Sequence, residues 1–173
     1  MARNVEIKAR VQQIEPIRHR ASAIAPAPPQ FISQIDTFFF VQHGRLKVRE
    51  FEDGSGELIA YDRADEAGPK ASKYSIVSCE DARALCAALG RVLPVRGRVV
   101  KRRELFLIGR TRVHLDEVER LGTFVELEVV LSDGEAVSDG EREARELMRR
   151  LGIASDALIA KAYIDLLEES RHG

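Results

Sequence analysis

Residues Phe124-Val125-Glu126-Leu127-Glu128-Val129-Val130 place apolar and charged side chains in alternation, and Val5-Glu6-Ile7-Lys8 near the start does the same. A period of two belongs to β-strands whose two faces meet different surroundings. The pattern recurs in Arg45-Leu46-Lys47-Val48-Arg49, in Lys101-Arg102-Arg103 and in Arg112-Val113-His114-Leu115-Asp116. A single charged strand face normally looks at water. Five such strands point instead to a closed sheet whose charged rows converge inside. An interior holding carboxylates and cations together suits a metal-bound polyphosphate.

Bulk properties agree with this reading. The chain has 173 residues, enough for one domain over 1–173 with a sizeable core. Charged residues make up 32%, yet 27 Lys+Arg against 28 Asp+Glu leave a net charge of −1. A nucleic-acid binder is more often basic, so no nucleic-acid partner is expected. The two cysteines, Cys79 and Cys86, form no C-x-x-C pair and read as buried thiols. No apolar run approaches membrane-spanning length, and Met1-Ala2-Arg3-Asn4 leads into strand pattern rather than a signal peptide. A cytoplasmic protein without a membrane partner is the expectation.

Along the chain, strands are predicted over 4–11, 34–41, 45–52, 57–63 and 70–77, with turns at Gln42-His43-Gly44 and Asp53-Gly54-Ser55-Gly56. A helix is predicted over 14–25, with Pro16 in its first turn and Pro26, Pro28 and Pro29 ending it. Residues 64–69 read as a flexible loop. A second helix is predicted over 79–90, capped by Ser78 and closed by Gly90. Strands then follow over 95–103, 104–108, 111–116 and 123–131. Helices over 139–151 and 154–167 finish the chain, separated by Gly152. About eight strands with helices at the crossings favour an α+β fold built on an eight-stranded antiparallel β-barrel with flanking helices.

Several motifs in order then resemble a known family. They are Val5-Glu6-Ile7-Lys8, Gln34-Ile35-Asp36-Thr37-Phe38-Phe39, Gly44-Arg45-Leu46-Lys47-Val48-Arg49-Glu50, Gly68-Pro69-Lys70-Ala71-Ser72-Lys73-Tyr74, Gly109-Arg110-Thr111-Arg112-Val113-His114-Leu115-Asp116 and Leu121-Gly122-Thr123-Phe124-Val125-Glu126-Leu127-Glu128. Together they resemble the CYTH, or triphosphate tunnel metalloenzyme, superfamily, and most closely its class IV adenylyl cyclase-like branch. The resemblance implies a tunnel that binds a triphosphate or nucleoside triphosphate with Mg²⁺ or Mn²⁺. The family signature Glu-x-Glu-x-Lys is altered here: Glu6 and Lys8 fill its second and third positions, but Asn4 stands where the first Glu belongs. An amide oxygen carries no charge and is a poorer ligand for a hard cation.

The resemblance assigns Glu6, Glu126, Glu128 and Asp116 to the metal, all oxygen donors of the kind such ions take. It assigns Lys8, Arg45, Lys47, Arg49, Arg63, Lys70, Lys101, Arg103 and Arg112 to the phosphates, with Lys8, Arg49, Arg112 and Asp116 as the catalytic set. Tyr61 runs on a track parallel to Arg63. Arg forks grip phosphate oxygens bidentately, whereas Lys acts as a point charge. Arg102 is as well explained by solvation. His114 reads as a structural histidine before a ligand. Asp36 either caps a turn or sets a carboxylate near the tunnel mouth. Phe38, Phe39 and Phe40 read as core, and the charges over 141–150 as a solvated helix face.

Three functional classes follow. The first is cyclisation of ATP to cyclic AMP and pyrophosphate. The second is hydrolysis of inorganic triphosphate or of an organic one such as thiamine triphosphate. The third is a non-catalytic polyphosphate-binding module, which Asn4 keeps open. A monomer or a homodimer is expected.

Overall fold

The structure, a computed structural model, describes residues 2–63 and 67–172. Eight strands form it: β1 (Ala2–Arg10), β2 (Gln30–Phe39), β3 (Arg45–Phe51), β4 (Gly56–Arg63), β5 (Lys70–Cys79), β6 (Val95–Ile108), β7 (Thr111–Val118) and β8 (Gly122–Leu131). They close into a barrel in the order β1-β5-β4-β3-β2-β6-β7-β8, with every neighbouring pair antiparallel. Closure gives every strand a neighbour on both sides and leaves no free edge strand to template aggregation. The helices are α1 (Glu15–Ile24), α2 (Ala82–Gly90), α3 (Val137–Leu151) and α4 (Tyr163–His172).

The alternation of β8 sorts its residues as its sequence suggests. Val125, Leu127 and Val129 point outward and are fully buried, while Glu126 and Glu128 point into the barrel. The main apolar core therefore lies outside the wall. There Val5, Ile7, Val113 and Leu127 meet Leu147, Met148 and Leu151 of α3. Burying one such side chain stabilises the fold by about 1.5–3 kcal/mol. Gly140 makes this packing possible, since a Cβ there would stand 2.8 Å from Val5 and 2.7 Å from Leu131. A smaller cluster under α2 joins Phe39, Val48 and Ala82.

A third cluster closes one end of the barrel. Phe38, Val99, Val118 and Phe124 pack there against Ala162, Tyr163, Ile164 and Leu167. The segment before α4 is tied across the strand ends: Ile159 N donates to Lys8 O at 2.9 Å and Lys70 Nζ to Ala160 O at 2.8 Å. Arg96 grips Asp165 and Glu168 of α4 at 2.6 and 2.7 Å. Gly97 lets the helix come this near, because its missing Cβ would lie 2.7 Å from Ile164 Cδ1.

Several local expectations change. The strands predicted over 95–103 and 104–108 are one, because β6 pairs continuously with β7 from Lys101 to Ile108. Strand β2 starts at Gln30, since Gln30 to Ser33 find partners on β6 before β3 begins. Cys79 ends β5 opposite Gly56, so α2 starts later and its cap is Asp81, whose side chain accepts from Ala84 N, rather than Ser78. Cys79 and Cys86 are unpaired and half-buried. The last helix begins at Tyr163, because Leu158 bridges Ala9 and holds that stretch extended. Phe40 is exposed, unlike Phe38 and Phe39. Of the loop expected over 64–69, residues 64–66 lie outside the described residues.

Candidate functional site

The inward faces of the strands enclose a cavity of about 320 Å³. It is floored by Ala162 and Tyr163 at the α4 end. Its other end is rimmed by Ile32, Phe51, Ile76 and Leu105, and Ile76 is 46% exposed there. Among the described residues seven cations line it: Lys8, Lys47, Arg49, Arg63, Lys101, Arg103 and Arg112. Five carboxylates join them: Glu6, Asp36, Glu57, Glu126 and Glu128.

Each row arises from strand parity. Asn4, Glu6 and Lys8 share one face of β1, and register sets Lys8 opposite Glu126 and Glu6 opposite Glu128. The Lys8 ammonium meets Glu126 at 2.9 Å. Arg103 forks onto Asp116 at 2.6 Å and reaches Glu126 at 2.6 Å. Arg112 pairs with Glu128 at 2.8 Å, Arg63 with Glu6 at 2.8 Å, and Lys47 with Asp36 at 2.7 Å. A wall of this kind is pre-assembled: its cations are already held in place by internal carboxylates.

Not every residue expected at the site faces the cavity. Arg45 lies outside the lining, 3.5 Å from Asp165. Lys70 holds the segment before α4 instead. Asp116 is fully buried behind Arg103 and accepts from the Tyr163 hydroxyl at 2.8 Å, so both its oxygens are occupied. Arg102 is exposed on the outer face between inward-facing Lys101 and Arg103, which breaks the run Lys101-Arg102-Arg103 as strand parity demands. Conversely, Gln34, Glu57, Tyr74 and Tyr163 line the cavity without having been singled out. Parity with Asp36 marks Gln34. Tyr163 belongs to a distant helix and carries no local signal.

One set of donors suits a divalent ion. Ligand atoms of His114, Glu126 and Glu128 lie within 4.8 Å of one another. His114 Nδ1 is buried without a hydrogen-bond partner, 3.7 Å from Glu126 and 3.9 Å from Glu128. Burial and then Arg103 lower the His114 pKa, which favours the neutral imidazole with a lone pair to offer. Burial would raise Glu128, but His114, which is protonated in the acid range where Glu128 titrates, and Arg112 beside it hold it down at about 2. Lys8 and Arg103 likewise keep Glu126 well below the usual range against burial. Two ionised carboxylates and a neutral imidazole therefore fit a divalent cation. Glu6 faces the same cavity, with its carboxylate on Arg63. Asn4 Oδ1 is buried in the lining with no partner.

The cations differ in how firmly they hold charge. Burial, then Arg103, pushes Lys101 down to about 7, although Asp116 and Asp36 stand 3.8 and 4.0 Å away. Arg49 and Arg103 stay charged.

Comparisons with known proteins bear on the family and the fold. A family model described as the CYTH domain matches residues 2–163. The chain is 31% identical over 105 residues to the adenylate cyclase CyaB of Aeromonas hydrophila; the match covers 60% of this chain and 54%, about half, of that protein. It is 31% identical over 147 residues to MJ0240 of Methanocaldococcus jannaschii, which carries a provisional adenylate cyclase name, covering 79% of this chain and 78% of that one. Among solved structures, the PH1012 protein of Pyrococcus horikoshii superposes with a TM-score of 0.82 at 24% identity, over 94% of this chain and 98% of its own. That likeness concerns the fold.

Proposed function

The chain belongs to the CYTH domain family, and on that footing we propose that its cavity binds a triphosphate or nucleoside triphosphate with Mg²⁺ or Mn²⁺ and acts on it as an adenylyl cyclase-like enzyme. The observation that carries this reading is one cavity in which, among the described residues, seven cations face five carboxylates, with His114, Glu126 and Glu128 gathered at one wall. Cations in that number suit several phosphate groups in a row rather than a single anion.

In this reading His114, Glu126 and Glu128 hold the metal, with Glu6 nearby. A divalent ion held there would supply charge neutralisation for phosphate oxygens. Lys8, Lys47, Arg49, Arg63, Lys101, Arg103 and Arg112 neutralise the phosphate chain and keep it extended, and Arg49 and Arg112 orient it. Asp116 acts at one remove, by fixing the fork of Arg103. For ATP, the ribose 3′ oxygen attacks the α-phosphorus as the bond to the leaving pyrophosphate breaks, and the 3′ proton is released. The cationic wall then holds the pyrophosphate. The apolar rim of Ile32, Phe51, Ile76 and Leu105 is placed to receive the organic end.

The protein is read as cytoplasmic, in keeping with two unpaired cysteines. No helix among the described residues is long and apolar enough to cross a membrane. The deciding experiment incubates the protein with ATP or inorganic triphosphate, with Mg²⁺ or Mn²⁺, and identifies the products. Cyclic AMP with pyrophosphate is the expected result. Orthophosphate together with ADP from ATP, or with pyrophosphate from inorganic triphosphate, and no cyclic AMP assigns hydrolysis, and binding without turnover leaves a polyphosphate-binding module.

A further inference from the structure

Asp36 is only 1% exposed and sits among cations. Its oxygens accept from Lys47 Nζ at 2.7 Å, from Arg49 Nε and Nη2 at 2.9 and 3.3 Å, and from Gln34 Nε2 at 3.1 Å. Lys101 Nζ stands 4.0 Å away. Register explains the gathering. Asp36 lies directly opposite Arg49 on β3, while Gln34 lies opposite Lys101 on β6, so the carboxylate stands where two cationic rows meet. With its lone pairs so fully engaged, it is poorly placed to act as a base or to reach the acidic cluster on β7 and β8.

The surroundings of Lys47 show what this carboxylate does. Lys47 faces Asp36 from β2, Arg49 on its own strand, and the rings of Phe38 and Tyr61 at 5.5 and 5.8 Å. Arg103 on β6 also acts on it. Burial lowers the Lys47 pKa, and Arg49 and Arg103 lower it further; Asp36 is the group that opposes them. Remove that charge, and a lysine in this setting gives up its proton more readily.

We propose that Asp36 is a positioning residue for the anion: it aims Lys47 and Arg49 into the cavity and keeps Lys47 charged, so that the cationic wall stands ready before phosphate arrives. This rests on the triphosphate reading of the cavity. A carboxylate that served the fold alone would alter stability when neutralised, but not the pH at which anion binding fails.

The test measures binding of inorganic triphosphate with Mg²⁺ to the full chain by calorimetry, from about pH 6 to about pH 9. Asp36→Asn is expected to bind within about threefold of wild type at the acid end, where Lys47 is protonated in both. Its affinity should then fall about one pH unit earlier than wild type, leaving it about tenfold weaker near pH 8.5. Parallel profiles for the two proteins overturn the proposal. Should Asp36→Asn not fold, Asp36→Glu carries the test, because it keeps the charge and displaces it. Its pH midpoint should match wild type while its affinity falls about threefold. A shifted midpoint or an unchanged affinity overturns the proposal. Failure of wild type to bind triphosphate anywhere in the range instead removes the triphosphate reading, and this role with it.

Discussion

The ammonium of Lys8 lies 3.8 Å from the ring centroid of Tyr163. This contact joins the first strand to the last helix through the floor of the cavity. The same ring packs edge-on to Phe124 at 4.9 Å, and its hydroxyl donates to Asp116. Cation–ring contacts that are shielded from water contribute up to about 2 kcal/mol.

Tyr163→Ala should therefore cost about 3–5 kcal/mol of stability, as for other large-to-small changes in a core. Tyr163→Phe keeps the ring and loses only the bond to Asp116, so its cost should be about 1–2 kcal/mol. Urea denaturation of both variants checks the order, and equal costs would mean that the ring does not seat α4.

The metal wall gives a second expectation. Glu128→Gln removes one charge from the donor set, and its principal partner, Arg112, is a third exposed and can turn toward water. Divalent-cation binding should weaken at least about tenfold with the fold intact. Glu126→Gln should weaken metal binding too, but it also removes the ion-pair partner of buried Lys8 and leaves buried Arg103 with Asp116 as its remaining bonded carboxylate, and so should lower the melting temperature. Calorimetry with Mn²⁺ alone separates the two effects.

Lys101 supplies a pH signature. Its folded pKa of about 7 lies below the ordinary 10.5. Between these values the unfolded chain binds the extra proton, so this group makes stability rise as pH climbs from 7 toward 10.5, and its cost is complete below 7. Lys101→Met should flatten that rise in denaturation curves taken across the window. Glu128 acts at the other extreme: its folded pKa of about 2 stabilises the protein above 4.5, and this contribution is lost as pH falls from 4.5 toward 2.

Position 4 gives a fourth. Asn4 is buried, faces the cavity, and leaves its Oδ1 without a partner. Asn4→Glu should add a carboxylate beside Glu6 and tighten metal binding in the absence of nucleotide. A titration giving the same stoichiometry and affinity as wild type would exclude position 4 from the site.

How much of this was legible in the sequence follows from the range of each interaction. Strand alternation is local, so the inward placement of Glu126, Glu128, Lys47 and Arg49 could be read from residues two apart. Closure into a barrel followed from the number of such rows. Tyr163 could not be found this way, since it meets Lys8 across most of the chain's length. Asp36 was visible as a charge but not as the meeting point of two strands, because its meaning depends on register with β3 and β6. The helix expected over 154–167 forms only from Tyr163 onward for the same reason: the pairing of Leu158 with Ala9 outweighs the local apolar spacing before it.

The floor beneath the cavity also governs traffic. Gly97 lets Ile164 settle against β6, and α4 seals that end of the barrel. With that end covered by α4 among the described residues, a ligand is expected to arrive and depart by the opposite rim. The part of a ligand that enters first is then expected to leave last, and a fragment cut free at depth to wait behind any piece that still fills the rim.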